Sequence, residues 1–267
     1  MTNRILARQY YRRRYGWPHP VLAVIGPPRS GTQLMAHLLA GVPGYRFRWP
    51  DDPDRCGETR HDLCEALFDR LPWEGYSVLK LHTRPTAANL ALLEKYRLRA
   101  VVMYRDLRDE CVSRYFAVLY DARHRHHTRY NSVPKHVGLS HSIEVTLEEC
   151  VPWVRGWRPI VARDPERFHE VRFEELRPDP RAAFTRVLRF YDLQLSAVRV
   201  DRIVRALTAR TRFDLQANFR QGKPTVRKGV VGDWRNHFTE EHVRQFKAGC
   251  GELLIELGYE RDLAWSL

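Results

Sequence analysis

The chain has 267 residues, of which 43% are hydrophobic, and a formal net charge of +13. It contains no internal repeat, Gly/Ser linker or long Pro-rich stretch, which favours one domain over residues 1–267 rather than two small ones. No apolar run approaches the length of a membrane span, and the run behind the basic N-terminus is too short for a signal peptide. We therefore expect a soluble, cytoplasmic protein.

The positive charge is concentrated near the N-terminus, where eight arginines and no acidic residue precede Asp51. A positive electrostatic potential of this kind favours an anionic partner: a nucleotide, a polyanion, nucleic acid or an anionic membrane surface. An excess of arginine is also typical of GC-rich genomes. We expect residues 1–18 to form a basic arm, solvated or packed on the domain, with weak membrane-surface contact as the alternative.

The five cysteines are odd in number and form no CxxC pair. This pattern predicts a reducing compartment without a disulfide framework. Cys56, His61 and Cys64 lie close together in the sequence, but no fourth residue follows at a zinc-site spacing. No metal is predicted.

Short apolar runs alternate with helical patterns along the chain. The predicted strands are residues 21–25, 76–82, 100–104 and 168–173. The predicted helices are residues 33–40, 86–96, 106–120, 143–162, 181–191, 197–209 and 240–257, with Pro152 and Pro159 breaking or kinking the fourth. This alternation predicts a three-layer α/β fold, with a mainly parallel sheet flanked by helices and ligands at the carboxyl ends of its strands.

A loop that contains two glycines, and has hydroxyl side chains near its end, connects the first predicted strand to the first predicted helix. Its sequence is Gly26-Pro27-Pro28-Arg29-Ser30-Gly31-Thr32. Backbone N–H groups and the helix dipole favour an anion there. The glycine spacing matches the P-loop pattern, but Thr32 replaces the lysine that ATP chemistry needs, and the cation comes earlier, as Arg29. For the loop alone, an ordinary turn and a P-loop small-molecule kinase remain alternatives.

Pro28-Arg29-Ser30-Gly31-Thr32 resembles the 5′-phosphosulfate loop of sulfotransferases that use 3′-phosphoadenosine 5′-phosphosulfate (PAPS). Two further segments follow in the family's order. Arg105 and Ser113, eight positions apart, resemble its 3′-phosphate segment, and residues 227–235 (RKGVVGDWR) resemble the RKGxxGDW signature of cytosolic-type members. We therefore expect the P-loop-NTPase-like sulfotransferase fold and a bacterial member of the family.

The resemblance implies roles for individual residues. Those implied to hold the 5′-phosphosulfate are Pro28, Arg29, Ser30, Gly31, Thr32 and Gln33. Those implied to hold the 3′-phosphate are Arg105, Ser113, Arg227, Lys228 and Gly229. The alternative for the second segment is a charge cluster at a helix start, with Asp106 as the cap and Arg108 and Asp109 solvated.

Weaker matches concern the adenine. Phe173 aligns with an aromatic residue of the family, and Thr211 and Phe213 match its Thr-x-Phe pattern, so the resemblance implies stacking on the base. Each aromatic residue by itself is more often part of a core. Leu34 stands where the family often has a stacking Trp, and Gln33 replaces a second Thr.

Lys80 and His82 close the second predicted strand. Residues i and i+2 of a strand face the same way, so both side chains should project into one space beyond the sheet. The resemblance implies that His82 is the general base and that Lys80 contacts the sulfate. The leaving nucleotide develops negative charge on its bridging oxygen, which Arg29 and Lys80 can stabilise electrostatically. The chemistry requires no metal.

We therefore expect an O-sulfotransferase that transfers the sulfuryl group of PAPS to a small-molecule alcohol or phenol and releases 3′,5′-diphosphoadenosine (PAP). A glycan or glycolipid hydroxyl is the alternative acceptor. A nucleic-acid-binding protein is the alternative from another class, but the chain has no recognition helix or stacking-sheet motif, so no nucleic-acid partner is expected. The KxxxTVxxxE segment through which vertebrate members dimerise is not reproduced after Trp234, and the oligomeric state stays open.

Acceptor specificity is expected in the parts without a family signature, which are residues 44–75 and an insertion predicted at residues 121–160. The second part is rich in histidine. Its histidines are His124, His126, His127, His136 and His141. We predict a mobile polar loop there, with an acceptor gate or a metal site as alternatives.

Overall fold

The computed structural model describes residues 10, 13–48, 62–70, 75–221 and 228–267, with the backbone alone at 69–70 and 210–221. The described strands are β1 (Val21–Ile25), β2 (Tyr45–Arg48), β3 (Tyr76–Leu81), β4 (Ala100–Tyr104) and β5 (Phe168–Arg172). They form one sheet in the order β2-β3-β1-β4-β5, and every neighbouring pair is parallel. The predicted parallel α/β fold is confirmed.

Helices connect and follow the strands. Those described are α1 (Thr32–Ala40), α2 (Glu65–Arg70), α3 (Ala87–Lys95), α4 (Leu107–Tyr120), α5 (His127–Asn131), α6 (Lys135–Arg163), α7 (Phe173–Leu176), α8 (Pro180–Phe190), α9 (Ala197–Gln221) and α10 (Glu240–Glu256), with a 3₁₀ turn at Asp233–Asn236. None of the described helices combines the length and the hydropathy that crossing a bilayer would need.

The residues fall into two compact units. The sheet unit comprises Met1–Tyr104 and Gly156–Leu207, and the helical unit comprises Arg105–Arg155 and Thr208–Leu267. All five strands belong to the sheet unit. The prediction of a single domain stays a prediction.

The centre of the sheet unit is β1, which is completely buried from Leu22 to Ile25. Successive strand residues point to opposite faces, so both faces of the sheet are covered at this strand. On one face the core includes Met35 and Leu38 of α1 and Phe184 of α8. This packing fixes the carboxyl ends of β1, β3 and β4 side by side.

Helix α6 differs from the prediction because it runs unbroken through Pro152 and Pro159. Both prolines lie at exposed positions, where the carbonyl groups that lose an N–H partner can bind water. Trp153, Val154 and Trp157 on the same helix are buried. Tertiary packing of these large side chains therefore outweighs the local cost of the prolines.

The prediction of a mobile polar loop in the histidine-rich stretch is wrong for most of its length. Residues 127–131 form α5, and α6 already begins at Lys135. Tyr130 of α5 and Leu139 and Ile143 of α6 are buried, and the last two lie about one helical turn apart. These buried side chains give each of the two helices a core-facing side, which the many histidines and arginines conceal in the sequence.

Two smaller differences concern β5 and the cysteines. Strand β5 ends at Arg172, so Phe173 begins a short helix rather than closing the strand. Cys64 is disulfide-bonded, which the odd cysteine count did not predict. Cys111, Cys150 and Cys250 are free and buried.

Candidate active site

The loop between β1 and α1, residues 26–32, has an unusual backbone. Arg29 has a φ of 77°, a left-handed conformation that is costly for a residue with a side chain, and Gly31 has a φ of 95°. The Ser30 side chain is fully buried, and its hydroxyl donates a hydrogen bond to the Pro27 carbonyl at 2.8 Å. Left-handed residues in such a turn direct successive N–H groups towards one side, which produces a concave anion site. We call residues 26–32 the phosphate loop.

The glycines of the phosphate loop are required by close packing. A Cβ atom on Gly26 would lie 2.6 Å from the Ser30 hydroxyl oxygen and 2.9 Å from the Met103 carbonyl oxygen. A Cβ atom on Gly31 would lie 2.7 Å from the Phe173 ring. The loop backbone is therefore held against β4 and against Phe173, and only glycine permits this approach.

His82 lies beside the phosphate loop because β3 is the parallel neighbour of β1. Leu81 pairs with Ile25, and the Gly26 N–H donates to the Leu81 carbonyl at 3.1 Å. His82 Nδ1 is 2.6 Å from the Gly26 carbonyl oxygen. A carbonyl oxygen only accepts hydrogen bonds, so Nδ1 carries the hydrogen, and in the neutral ring Nε2 carries the lone pair.

Lys80, one residue before the end of β3, is half-buried. Burial and the positive charge of Arg29 lower the pKa of Lys80 to about 8. Neighbouring cations destabilise each other's charge, and a bound anion would relieve that repulsion. The three residues predicted to be catalytic, Arg29, Lys80 and His82, therefore lie at the same edge of the sheet unit.

The segment that follows His82 is held by two residues that the sequence analysis did not single out. The indole N–H of the fully buried Trp157 donates to the Thr83 carbonyl at 3.0 Å. A Cβ atom on Gly156 would lie 2.6 Å from the Pro85 ring, so only glycine permits this approach. No sequence motif signals these contacts, because they join residues more than 70 positions apart.

In the helical unit, Arg105 contacts the C-terminal segment, which we define as residues 228–234. The Arg105 guanidinium donates to the Val230 carbonyl at 3.1 Å and lies 3.8 Å from the Asp109 carboxylate. Arg105 is only 7% exposed. Ser113 lies half-buried two turns into α4. The structure thus joins the two segments that were predicted to hold the 3′-phosphate, through the contact between Arg105 and Val230.

Asp109 also binds the C-terminal segment. Its two carboxylate oxygens accept hydrogen bonds from the Gly232 N–H at 2.7 Å and from the Trp234 N–H at 3.0 Å. Burial raises the pKa of Asp109, although Arg105 and the two N–H groups oppose that rise. A solvated position for Asp109 is therefore excluded.

Arg108 is buried as well. Asp106 caps α4, as anticipated, by accepting the Arg108 backbone N–H at 2.9 Å. The Arg108 guanidinium pairs with Asp106 at 2.7 Å and with Glu260, and it lies 4.2 Å from the Trp234 ring centre. The charge cluster at the start of α4 is thus an internal network rather than a solvated surface.

Lys228 donates to Asp233 at 3.2 Å, and Gly229 has a φ of 62°. Arg227 lies outside the described residues, and Thr211 and Phe213 lie in α9 at positions where only the backbone is described. Their predicted roles stay predictions.

Within the described ranges, no three His, Cys, Asp or Glu side chains lie close enough together to hold a metal ion. Of the sequence cluster Cys56, His61 and Cys64, for which no metal was predicted, Cys56 and His61 lie outside those ranges. In the histidine-rich stretch, His126 stacks on Tyr130 with ring centres 6.1 Å apart. Burial lowers the pKa of His126 and of the neighbouring His124.

A parallel sheet in this strand order, with an anion loop after its central strand, defines an α/β protein that binds phosphate or sulfate groups. The family model described as "Sulfotransferase domain" matches residues 19–258. The chain belongs to the sulfotransferase family, and it is a PAPS-dependent sulfotransferase.

Three proteins that are similar to this chain are also named sulfotransferases. Sulfotransferase 1E1 of Mus musculus is 23% identical over 269 residues, covering 86% of this chain and 84% of that protein. The 3-alpha-hydroxysteroid sulfotransferase of Cavia porcellus is 27% identical over 246 residues, covering 82% and 78%. The crystal structure of mouse sulfotransferase SULT7A1 complexed with PAP superimposes with a TM-score of 0.66 at 17% identity, covering 88% and 84%. At that identity the likeness establishes the fold.

Proposed function

We propose that this enzyme transfers the sulfuryl group of PAPS to a hydroxyl of a small-molecule acceptor, with His82 as the general base and without a metal ion. The observation that carries the proposal is the hydrogen bond between His82 Nδ1 and the Gly26 carbonyl. This bond selects the tautomer whose Nε2 can take a proton, and it attaches the base to the phosphate loop.

In the proposed reaction, the acceptor oxygen attacks the sulfur atom while its proton moves to His82 Nε2. The bond between the sulfur and the bridging oxygen breaks, and PAP leaves with the electron pair. Lys80 and Arg29 stabilise the negative charge that develops on the bridging oxygen. Because both cations lie at the same sheet edge as His82, the groups that the transfer needs are supplied by one part of the sheet unit.

The donor is proposed to contact residues in two groups. Residues 28–33 take the 5′-phosphosulfate. Arg105, Ser113, Lys228, Gly229 and Arg227 take the 3′-phosphate. Arginine and lysine favour a doubly charged phosphate, and the contact of Arg105 with the C-terminal segment supports their joint use. Phe173, Thr211 and Phe213 are proposed at the adenine.

The proposed acceptor is an alcohol or phenol. One relative is named a 3-alpha-hydroxysteroid sulfotransferase, and a hydroxysteroid is an alcohol, which supports this choice. A neutral imidazole suits the deprotonation of a hydroxyl during attack. A glycan hydroxyl would use the same chemistry and is the second candidate.

Two variants test the base. His82→Ala removes the ring, whereas His82→Asn keeps a side-chain N–H that can donate to the Gly26 carbonyl but provides no basic nitrogen. Both should lower kcat by about 10²- to 10⁴-fold, because that is the usual contribution of a general base. In calorimetry with a chelator present, the Kd for PAP should change by less than about twofold in His82→Asn.

Near-normal turnover in His82→Asn would remove His82 as the base. PAP binding that disappears with the chelator would contradict the metal-free mechanism. An ATP-dependent transfer that requires Mg²⁺ would instead favour the kinase alternative.

A further inference from the structure

Asp109 joins two parts of the polypeptide that are far apart in the sequence. Its carboxylate on α4 accepts the N–H groups of Gly232 and Trp234, which follow it by more than 120 positions. The side chain is almost fully buried, at 2% exposure. The phosphate chemistry proposed above does not use Asp109 directly, so its burial needs a separate explanation.

The geometry around Asp109 leaves little freedom to the C-terminal segment. The two N–H groups lie on either side of Asp233, so a single carboxylate fixes both ends of that turn. Gly232 has a φ of 80°, a conformation that glycine adopts without strain. Among the described residues, the nearest neighbour of a Cβ atom there would be Arg235 Nη1 at 3.7 Å, so the hydrogen bonds, rather than crowding by these residues, hold the conformation.

Arg105 completes the same arrangement. Its guanidinium lies 3.8 Å from Asp109 and donates to the carbonyl of Val230 at 3.1 Å. The C-terminal segment is thus bound at residues 230, 232 and 234, and Lys228 and Gly229 immediately precede the first of these points. A displacement of the segment would move Lys228 relative to Arg105.

Asp109 cannot favour anion binding through its own charge, because a negative carboxylate repels a phosphate. A carboxylate near Arg105 reduces the positive potential that a phosphate would experience. Burying that carboxylate is also costly, and Arg105 and two backbone hydrogen bonds offset the cost. A carboxylate in this position lowers the positive electrostatic potential at the phosphate. It favours phosphate binding only if the orientation that it gives the C-terminal segment stabilises the bound phosphate by more than this loss of potential destabilises it.

We propose that Asp109 is a positioning residue for the 3′-phosphate: it holds the C-terminal segment against Arg105, so that Lys228, Gly229 and Arg105 bind one phosphate together. This inference rests on the proposed 3′-phosphate role of those three residues. It predicts that Asp109 determines how well the enzyme distinguishes PAP from 5′-AMP, which lacks the 3′-phosphate.

The test compares the Kd values of PAP and 5′-AMP in the wild type and in Asp109→Asn. Asparagine keeps the volume and one acceptor oxygen, but it presents an NH₂ group to one of the two N–H donors. The Kd for PAP should rise about 10- to 100-fold, as expected when a hydrogen bond to a charged group is lost, and the Kd for 5′-AMP should change by less than about twofold.

The matched control is Glu149→Gln. Glu149 pairs with Arg114 at 2.8 Å in the same unit and has no contact with the C-terminal segment among the described hydrogen bonds and ion pairs. This variant should leave the ratio of the two Kd values at its wild-type level. A merely structural effect would weaken both ligands together, in either variant.

If Asp109→Asn does not fold, Gly232→Ala tests the same segment without a change of charge. Alanine at a φ of 80° is strained, so the variant should also lose affinity for PAP selectively. Equal weakening of both ligands, or an unchanged ratio, would overturn the inference. A wild type that binds 5′-AMP as tightly as PAP would overturn the proposed 3′-phosphate site itself.

Discussion

Lys80 gives the sharpest prediction, because its charge state should be visible in a pH profile. The structure lowers its pKa from 10.5 to about 8 through burial and the charge of Arg29. A lysine with this pKa is about nine-tenths protonated at pH 7 and about one-tenth protonated at pH 9. If the ammonium form stabilises the leaving group, activity must decrease as the pH rises through 8 rather than through 10.5.

The parameter that reports this ionisation is kcat/KM for PAPS, because it depends on the free enzyme. Between pH 7 and pH 9 it should decrease about tenfold. The bound donor is anionic and favours the charged lysine, so the decrease in kcat should occur at a higher pH.

Lys80→Arg is the decisive variant. A guanidinium stays protonated throughout this range, so the decrease in kcat/KM near pH 8 should disappear, whatever the absolute activity of the variant. Lys80→Met should lose most activity at every pH. A Lys80→Arg profile that still decreases near pH 8 would refute the reasoning, because another group would then be titrating.

Two further predictions concern stability. Gly31→Ala should destabilise the protein by about 1–3 kcal/mol, because it combines a left-handed φ of 95° with a contact to Phe173, and thermal denaturation would show it. In a Phe173→Ala background, Gly31→Ala should cost less than it does in the wild type, and an equal cost in both backgrounds would exclude the contact as the cause. Arg108→Met should cost about 3–5 kcal/mol in urea unfolding, because it leaves the buried carboxylate of Asp106 without its partner. The exposed pair Arg244–Glu241 provides the control: Arg244→Met should cost less than about 1 kcal/mol, and similar losses in both variants would contradict the argument.

Much of the sheet could be predicted because burial is encoded locally. Three strands, β1, β3 and β4, are continuous apolar runs or nearly so, as expected for strands covered on both faces. Strand β2 was missed because its four residues alternate tyrosine and phenylalanine with Arg46 and Arg48, a pattern too short to distinguish from a loop.

Helical boundaries were predicted where a local signal exists. Thr86 and Asp106 cap α3 and α4 with their side chains, as their positions in the sequence indicate. The prediction failed at α6, where two prolines argue against a helix locally. Its length depends on the burial of Trp153 and Trp157, which no local pattern reports.

The sequence by itself determined which functional groups are present: the phosphate loop, the pair Lys80 and His82, and Arg105 after β4. It could not determine which of these groups meet. Only the strand order places β3 beside β1, and hence His82 Nδ1 on the Gly26 carbonyl, 56 positions away. Only the return of the chain near its C-terminus places Asp109 on Gly232, at a separation of 123 positions. The physical reason is that propensity and periodicity act over a few residues, whereas these contacts depend on packing of the whole chain.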